Sequence, residues 1–140
     1  MKELYLVSNL VLTNYLAIAG KDFCTVATDT RASNGYNILS RSQSKTVKLT
    51  ETCILTSAGM LADVETLHKT LEIRIKQYRM QNKRDPCLES IAQFLCTTLY
   101  GRRFFPYYAF NLLCGISKSG TGAVYGYDAV GSYGNEGYGV

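Results

Sequence analysis

Apolar positions along the chain change their period twice, dividing it into strands, helices and strands again. Leu16-Ala17-Ile18-Ala19-Gly20 is a short apolar run, Lys21-Asp22 breaks it, and Phe23-Cys24-Thr25-Val26-Ala27-Thr28-Asp29 is rich in strand-forming residues. Two such runs separated by two residues predict a hairpin. Ser33-Asn34-Gly35 reads as a turn. Lys45-Thr46-Val47-Lys48-Leu49 alternates polar with apolar, and after Thr50-Glu51-Thr52 the segment Cys53-Ile54-Leu55-Thr56-Ser57 is a further strand. Roughly four or five strands are therefore expected in the first sixty residues.

The period then lengthens. Leu61, Val64, Leu67, Leu71, Ile75 and Tyr78 recur at three- and four-residue steps, one apolar face of a long amphipathic helix ending near Gln81-Asn82. Asp85 as N-cap and Pro86 at the first helical position announce a second helix. Its stripe is Leu88, Ile91, Ala92, Leu95 and Leu99, with Gly101 as its stop. The short link makes the two helices antiparallel neighbours. Strands resume over 107–114 and 123–127, with the turn Ser117-Lys118-Ser119-Gly120-Thr121-Gly122 between them. Strands, two helices, strands is an α+β order with antiparallel pairing, not the alternation of a doubly wound sheet. The helices cover one sheet face; the other face is apolar too and requires a second layer.

Composition narrows the function classes. The 140 residues suit one domain; 46% are hydrophobic and 19% charged, which excludes a disordered chain. The net charge of +4 is mild, and the basic residues are scattered apart from Lys83-Arg84 and Arg102-Arg103. No continuous basic stripe suggests a nucleic-acid partner, and no apolar run approaches the ~18–20 residues that span a bilayer. The opening residues are interrupted by Ser8, Asn9 and Asn14 and do not read as a signal peptide. Five singly spaced cysteines (Cys24, Cys53, Cys87, Cys96, Cys114) argue for free thiols in a reducing compartment, cytosol or nucleus. The only histidine, His68, reads as a solvated or half-buried helix residue, and one histidine builds no histidine-rich metal site. Gly20, Gly101, Gly115 and Gly120 form no phosphate-cradling motif, and there is no GxSxG elbow. Neither a metal nor a cofactor is expected.

One arrangement carries chemistry. Thr13, Asp29 and Lys45 follow one another at intervals of sixteen residues, each at the edge of an expected strand. A threonine hydroxyl becomes a nucleophile when a base takes its proton, and in one enzyme class that base is the threonine's own α-amino group. A nearby lysine lowers the amine's proton affinity, and an aspartate orients the lysine. This chemistry requires Thr13 to be the first residue of the mature chain.

Leu16-Ala17-Ile18-Ala19-Gly20, Asp22-Phe23 and Asp29-Thr30-Arg31 resemble the opening of a 20S proteasome beta subunit. Gly101-Arg102-Arg103-Phe104-Phe105-Pro106-Tyr107-Tyr108 resembles the beta type-1 branch of that family, as does the run Gly120 to Tyr133. The resemblance covers nearly the whole chain from about Leu16. It divides the chain into a divergent segment, 1–15, and a beta-type domain, 16–140, that lacks the family's C-terminal part, as in a fragment, a splice variant or an incomplete gene model. It implies a four-layer αββα sandwich of the N-terminal-nucleophile hydrolase type, incomplete at the C-terminus. It also implies partners: a heteroheptameric ring of beta subunits, alpha-ring subunits and the opposite beta ring, in cytoplasm and nucleus.

Laid on the family pattern, Thr13 falls at the nucleophile, Asp29 at the orienting aspartate and Lys45 at the lysine. Active members carry a glycine before the threonine, where the propeptide is cut; here Leu12 stands there. The resemblance therefore implies a non-catalytic structural subunit, with Asp29 and Lys45 in structural roles. The alternative is an active threonine-type endopeptidase using Thr13 after propeptide removal. By the same resemblance Asp128 lies on a wall of the neighbouring subunit's substrate pocket; read from sequence alone it is equally a strand-end aspartate capping a turn. Arg102, Arg103, Phe104, Phe105 and Tyr107 are read as a subunit interface, since arginine with aromatics is typical of interface cores.

Overall fold

The computed structural model describes residues 4–8 and 15–134. Seven strands precede two helices: β1 (Leu4–Ser8), β2 (Tyr15–Ala19), β3 (Cys24–Thr28), β4 (Ala32–Asn34), β5 (Asn37–Ser40), β6 (Thr46–Thr50) and β7 (Cys53–Gly59). Then come α1 (Leu61–Asn82), α2 (Leu88–Tyr100), β8 (Ala109–Ile116), β9 (Gly122–Tyr127) and β10 (Tyr133–Gly134). Three sheets result, with strand orders β1-β3-β2, β10-β9-β8-β7-β6 and β4-β5.

The five-stranded sheet is buried on both faces because successive side chains alternate across it. Cys53, Leu55, Leu113 and Ala123 face the helices and pack with Leu67 and Leu71 of α1 and Ile91 and Leu95 of α2. Ile54, Leu112, Cys114 and Val124 point the other way and meet Ala17, Cys24 and Val26 of the three-stranded sheet. Among the described residues the order of layers is helices, five-stranded sheet, three-stranded sheet. A backbone hydrogen bond ties the chain just after β2 to β9, where Gly122 donates its N–H to the Gly20 carbonyl at 3.1 Å.

The helix pair is antiparallel as expected. Arg74 donates to Thr98 Oγ1 at 2.9 Å, and Tyr78 meets Phe94 edge to face, so rising numbers on α1 meet falling numbers on α2. Helix α1 ends where Lys83 adopts a left-handed backbone, φ 54°, and donates its N–H to the Arg79 carbonyl.

Several expectations are corrected. Asp85 and Pro86 do not open α2, which begins at Leu88 behind Cys87 with no side-chain cap. The Asp85 carboxylate is instead engaged by the Arg79 guanidinium at the end of α1. Gly101 does end α2, but in a right-handed conformation, and the chain runs on through a turn before β8. The expected turn at 33–35 is the tip of an additional hairpin, β4–β5, and the described residues among the first sixty hold seven strands rather than four or five. The pairing is not wholly antiparallel, because β1 lies parallel to β3. The antiparallel β2–β3 hairpin forms as expected, with Tyr15 opposite Thr28 and Ala19 opposite Cys24.

Candidate functional site

Strand β3 alternates Cys24, Val26 and Thr28 inward and delivers Asp29 at its end, 1% exposed. Lys45 stands immediately before β6, and its carbonyl accepts from the Ser57 N–H at 3.0 Å and the Thr56 hydroxyl at 3.4 Å, which anchors it to β7. Lys45 Nζ then reaches Asp29 Oδ1 at 2.7 Å, the two side chains being 11% and 1% exposed. Two residues sixteen apart in sequence thus form one buried ion pair. Asp29 Oδ2 is also buried and has no hydrogen-bond partner among the described residues.

Lys45 borders a cavity of about 430 Å³ whose wall includes Arg31, Leu39, Ser57, Met60 and Val64. Strand β7 passes directly into α1 at this wall through Gly59, whose φ of +134° lies in the region that glycine favours. A Cβ there would sit 2.3 Å from the Tyr108 carbonyl oxygen. That carbonyl accepts the Met60 N–H at 2.8 Å, so the close approach holds the cavity rim against the start of β8.

A second polar group lies behind the same wall. Ser57 Oγ donates to Asn111 Oδ1 at 2.6 Å and lies 2.8 Å from His68 Nε2. With the serine proton committed to Asn111, His68 donates through Nε2–H. Asn111 in turn donates to the Ala109 carbonyl at 3.2 Å. Burial pulls the His68 pKa down to about 4, so the ring is neutral at pH 7. A neutral donor histidine does not act as a base toward Ser57, and this serine is not an activated nucleophile. Sequence reading missed this chain of bonds. One signal was present: position 68 lies four residues after Val64 and three before Leu71, on the buried face of α1.

The remaining candidates separate. Asp128 is exposed and its Oδ1 accepts from the Val130 N–H at 3.1 Å and the Ser132 N–H at 2.8 Å, so it ties the turn between β9 and β10. Phe104 and Phe105 are 88% and 84% exposed. Arg103 lies over the Tyr100 and Phe104 rings and Arg102 over Tyr107. Tyr107 is itself buried in the helix-side core, so it supports this loop from beneath rather than offering surface. Thr13 lies outside the described residues, as do the glycine-rich residues 135–140.

All five cysteines are free thiols. Burial beside the Cys24 thiol holds the Cys114 thiol strongly in its protonated form, and burial does the same for Cys53. Among the described residues no group of three histidine, cysteine or acidic side chains could hold a metal ion. Among the described residues no helix is long and apolar enough to cross a membrane.

Chemically, the cavity corner offers a lysine ammonium held by a buried carboxylate. Such a charge lowers the proton affinity of an amine placed beside it and stabilises a developing anion. The described residues supply no nucleophile to it.

Comparison with known proteins places this corner in context. The model of the family described as "Proteasome subunit" matches residues 13–140. The chain is 51% identical over 125 residues to "Proteasome subunit beta type-1" of Arabidopsis thaliana, which covers 89% of this chain and 56% of the relative. It is 53% identical over 124 residues to the protein of that name from Oryza sativa subsp. japonica, covering 88% of this chain and 56% of the relative. The Danio rerio protein of that name is 49% identical over 123 residues, 88% of this chain and 52% of its own. The chain thus spans about half the length of the curated relatives it matches. With the family match running over 13–140 and the Asp29–Lys45 pair inside it, the chain belongs to the proteasome subunit family.

Proposed function

We propose that this chain acts as a non-catalytic beta subunit of the 20S proteasome core, a structural member of a seven-membered beta ring that helps enclose the proteolytic chamber. The observation that carries this reading is identity of about half over nearly nine-tenths of the chain to proteins named beta type-1. The layers seen here, helices on a five-stranded sheet on a three-stranded sheet, fit as three of the four in an αββα sandwich. Its partners are other beta subunits, alpha-ring subunits and the opposite beta ring, in cytoplasm and nucleus. The exposed Arg102–Phe105 loop is assigned to a subunit interface, where stacked guanidinium and aromatic groups are favoured. Asp128 serves as part of the wall of a neighbouring subunit's substrate pocket, on a turn its own carboxylate holds.

The inactive reading rests on Leu12 standing before Thr13, where cutting members carry glycine. Without cleavage there, Thr13 has no free amine to act as base. The alternative, a threonine-type endopeptidase, is favoured by one observation: the Asp29–Lys45 pair is assembled and borders a cavity. Two measurements test these readings. Affinity capture of the tagged chain from cells should bring down alpha and beta subunits in near-equal amounts; capture of chaperones alone would defeat the assembly role. Intact mass should retain residues 1–12; a mature form beginning at Thr13 would establish the peptidase alternative.

A further inference from the structure

Helix α2 runs out into a loop that is fixed by its backbone yet turns large side chains outward. Three successive bonds close its turns. Arg102 N–H donates to the Leu99 carbonyl at 3.0 Å, Arg103 N–H to the Tyr100 carbonyl at 3.1 Å and Phe105 N–H to the Arg102 carbonyl at 3.0 Å. Its far end is tied down where Tyr108 N–H donates to Asp63 Oδ2 at 2.9 Å, and Tyr107 is buried beneath it. The exposure of Phe104 and Phe105 is therefore set by the backbone. Adjoining phenyl rings held out in this way mark a contact surface.

The arginines decide what such a surface meets. Arg103 lies 4.3 Å from the centre of the Phe104 ring and 4.7 Å from that of Tyr100, and Arg102 lies 4.6 Å over the Tyr107 ring. Stacking occupies the flat face of a guanidinium and leaves its N–H edge free. Those edges are almost unused. Arg103 Nη1 reaches the Tyr100 carbonyl at 3.5 Å, and the Arg102 side chain makes no hydrogen bond among the described residues. No carboxylate among the described residues pairs with either arginine. The acidic members of the ion pairs are Asp29, Glu51 and Asp85, and Asp63 is taken by Tyr108.

Two guanidinium forks are thus oriented by rings and lack an anion. A planar carboxylate matches such a fork with two parallel N–H···O bonds. A nucleic-acid backbone would call for a longer row of cations than two arginines in a chain of net charge +4. Apolar rings beside the forks suit instead a protein segment in which an acidic residue stands among apolar ones.

We propose that Arg102 and Arg103 form a carboxylate receptor, which grips an aspartate or glutamate of a neighbouring subunit while apolar residues beside that acid cover Phe104 and Phe105. This deepens the assignment of the loop to a subunit interface and rests on it.

Covalent coupling of the two groups tests the receptor. In the tagged full chain, Arg102→Lys and Arg103→Lys are made singly, each leaving the other arginine in place and putting an amine on the loop. Complexes captured from cells are treated with a water-soluble carbodiimide, which joins an amine to a touching carboxylate as an amide with loss of water. Mass spectrometry of the joined peptides should link the new amine at position 102 or 103 to one aspartate or glutamate of an alpha or beta subunit, with apolar residues beside it. Arg103→Glu repels that carboxylate and should lower recovery of the same subunit by about tenfold or more. Arg103→Lys keeps the charge without the fork and should lower it less. Subunits that co-purify yet are joined at neither position, or that Arg103→Glu recovers equally well, overturn the receptor and leave the assembly reading intact. Joining to a carboxylate of this same chain or of a chaperone overturns it as well. If no alpha or beta subunit co-purifies even with the unaltered chain, the assembly reading and the receptor fall together.

Discussion

The Asp29–Lys45 pair and the Ser57–His68–Asn111 chain border one cavity, yet they are built on opposite principles. In the first, two full charges are buried and one carboxylate oxygen is left without a partner among the described residues. In the second no group is charged, and donors and acceptors follow one another from His68 through Ser57 and Asn111 to the Ala109 carbonyl. A satisfied neutral chain rigidifies the seam between sheet and helix. A buried ion pair with an idle oxygen contributes less to folding than its short distance suggests, because desolvation offsets much of the attraction. The difference teaches where to look for chemistry. The site equipped to meet a further group is the corner whose bonding capacity the described residues leave unused.

Breaking the ion pair should give the largest effect. Lys45→Met strands the Asp29 carboxylate, 1% exposed, and should cost about 3–5 kcal/mol by urea titration. Adding Asp29→Asn removes the stranded charge and should recover more than half of that loss. A single-variant cost below about 1 kcal/mol would mean that the corner is more hydrated than its exposure indicates.

The neutral chain responds to pH instead. The His68 pKa is lowered from 6.5 to about 4 by burial, so the folded state binds fewer protons than the unfolded chain between those values. Stability is fully present above pH 6.5 and declines as pH falls toward 4, by a total on the order of 3 kcal/mol. His68→Gln keeps a donor for Ser57 and should flatten this part of the pH–stability curve. An unchanged curve would assign the acid sensitivity to other groups.

How much of this was legible in the sequence follows from the range of the interactions involved. Helix α1 and the β2–β3 hairpin were readable because their periods are set by local burial, Val64 to Ile75 at helical steps and two apolar runs around Lys21-Asp22. The α2 start was misread because Asp85, a good cap by type, is claimed by Arg79 six residues earlier, a contact no local rule supplies. Strand β1 was missed because its partner lies twenty residues away and in parallel. In the site, the spacing of Asp29 and Lys45 was visible as a regularity, but only the fold shows that they touch. Ser57 and Asn111 are polar residues inside strands, 54 apart in sequence, and nothing local announces their bond.

Cutting the neutral chain at its middle is the next test. Ser57→Ala removes the acceptor of His68 and the donor to Asn111 together, leaving two polar groups under-satisfied. The expected loss is about 1–3 kcal/mol, measured at pH 7.5 where His68 is neutral. The double variant Ser57→Ala/Asn111→Leu should cost less than the sum of its single changes, since each alone leaves the other's group unpaired. Strict additivity would show that the bonds act independently.

The smallest effect belongs to an ion pair of the same chemistry in a different setting. Arg79 and Asp85 are joined like Lys45 and Asp29, but their side chains are 41% and 46% exposed. Water solvates both charges in the unfolded and folded chain alike, and salt screens what attraction remains. Asp85→Ala should therefore change stability by less than about 1 kcal/mol, with that difference fading further in 0.5 M salt. Because Asp85 makes no cap for α2, no helix start is lost with it. A cost matching that of Lys45→Met would show that the link between the helices depends on this contact, and that burial is not what separates the two pairs.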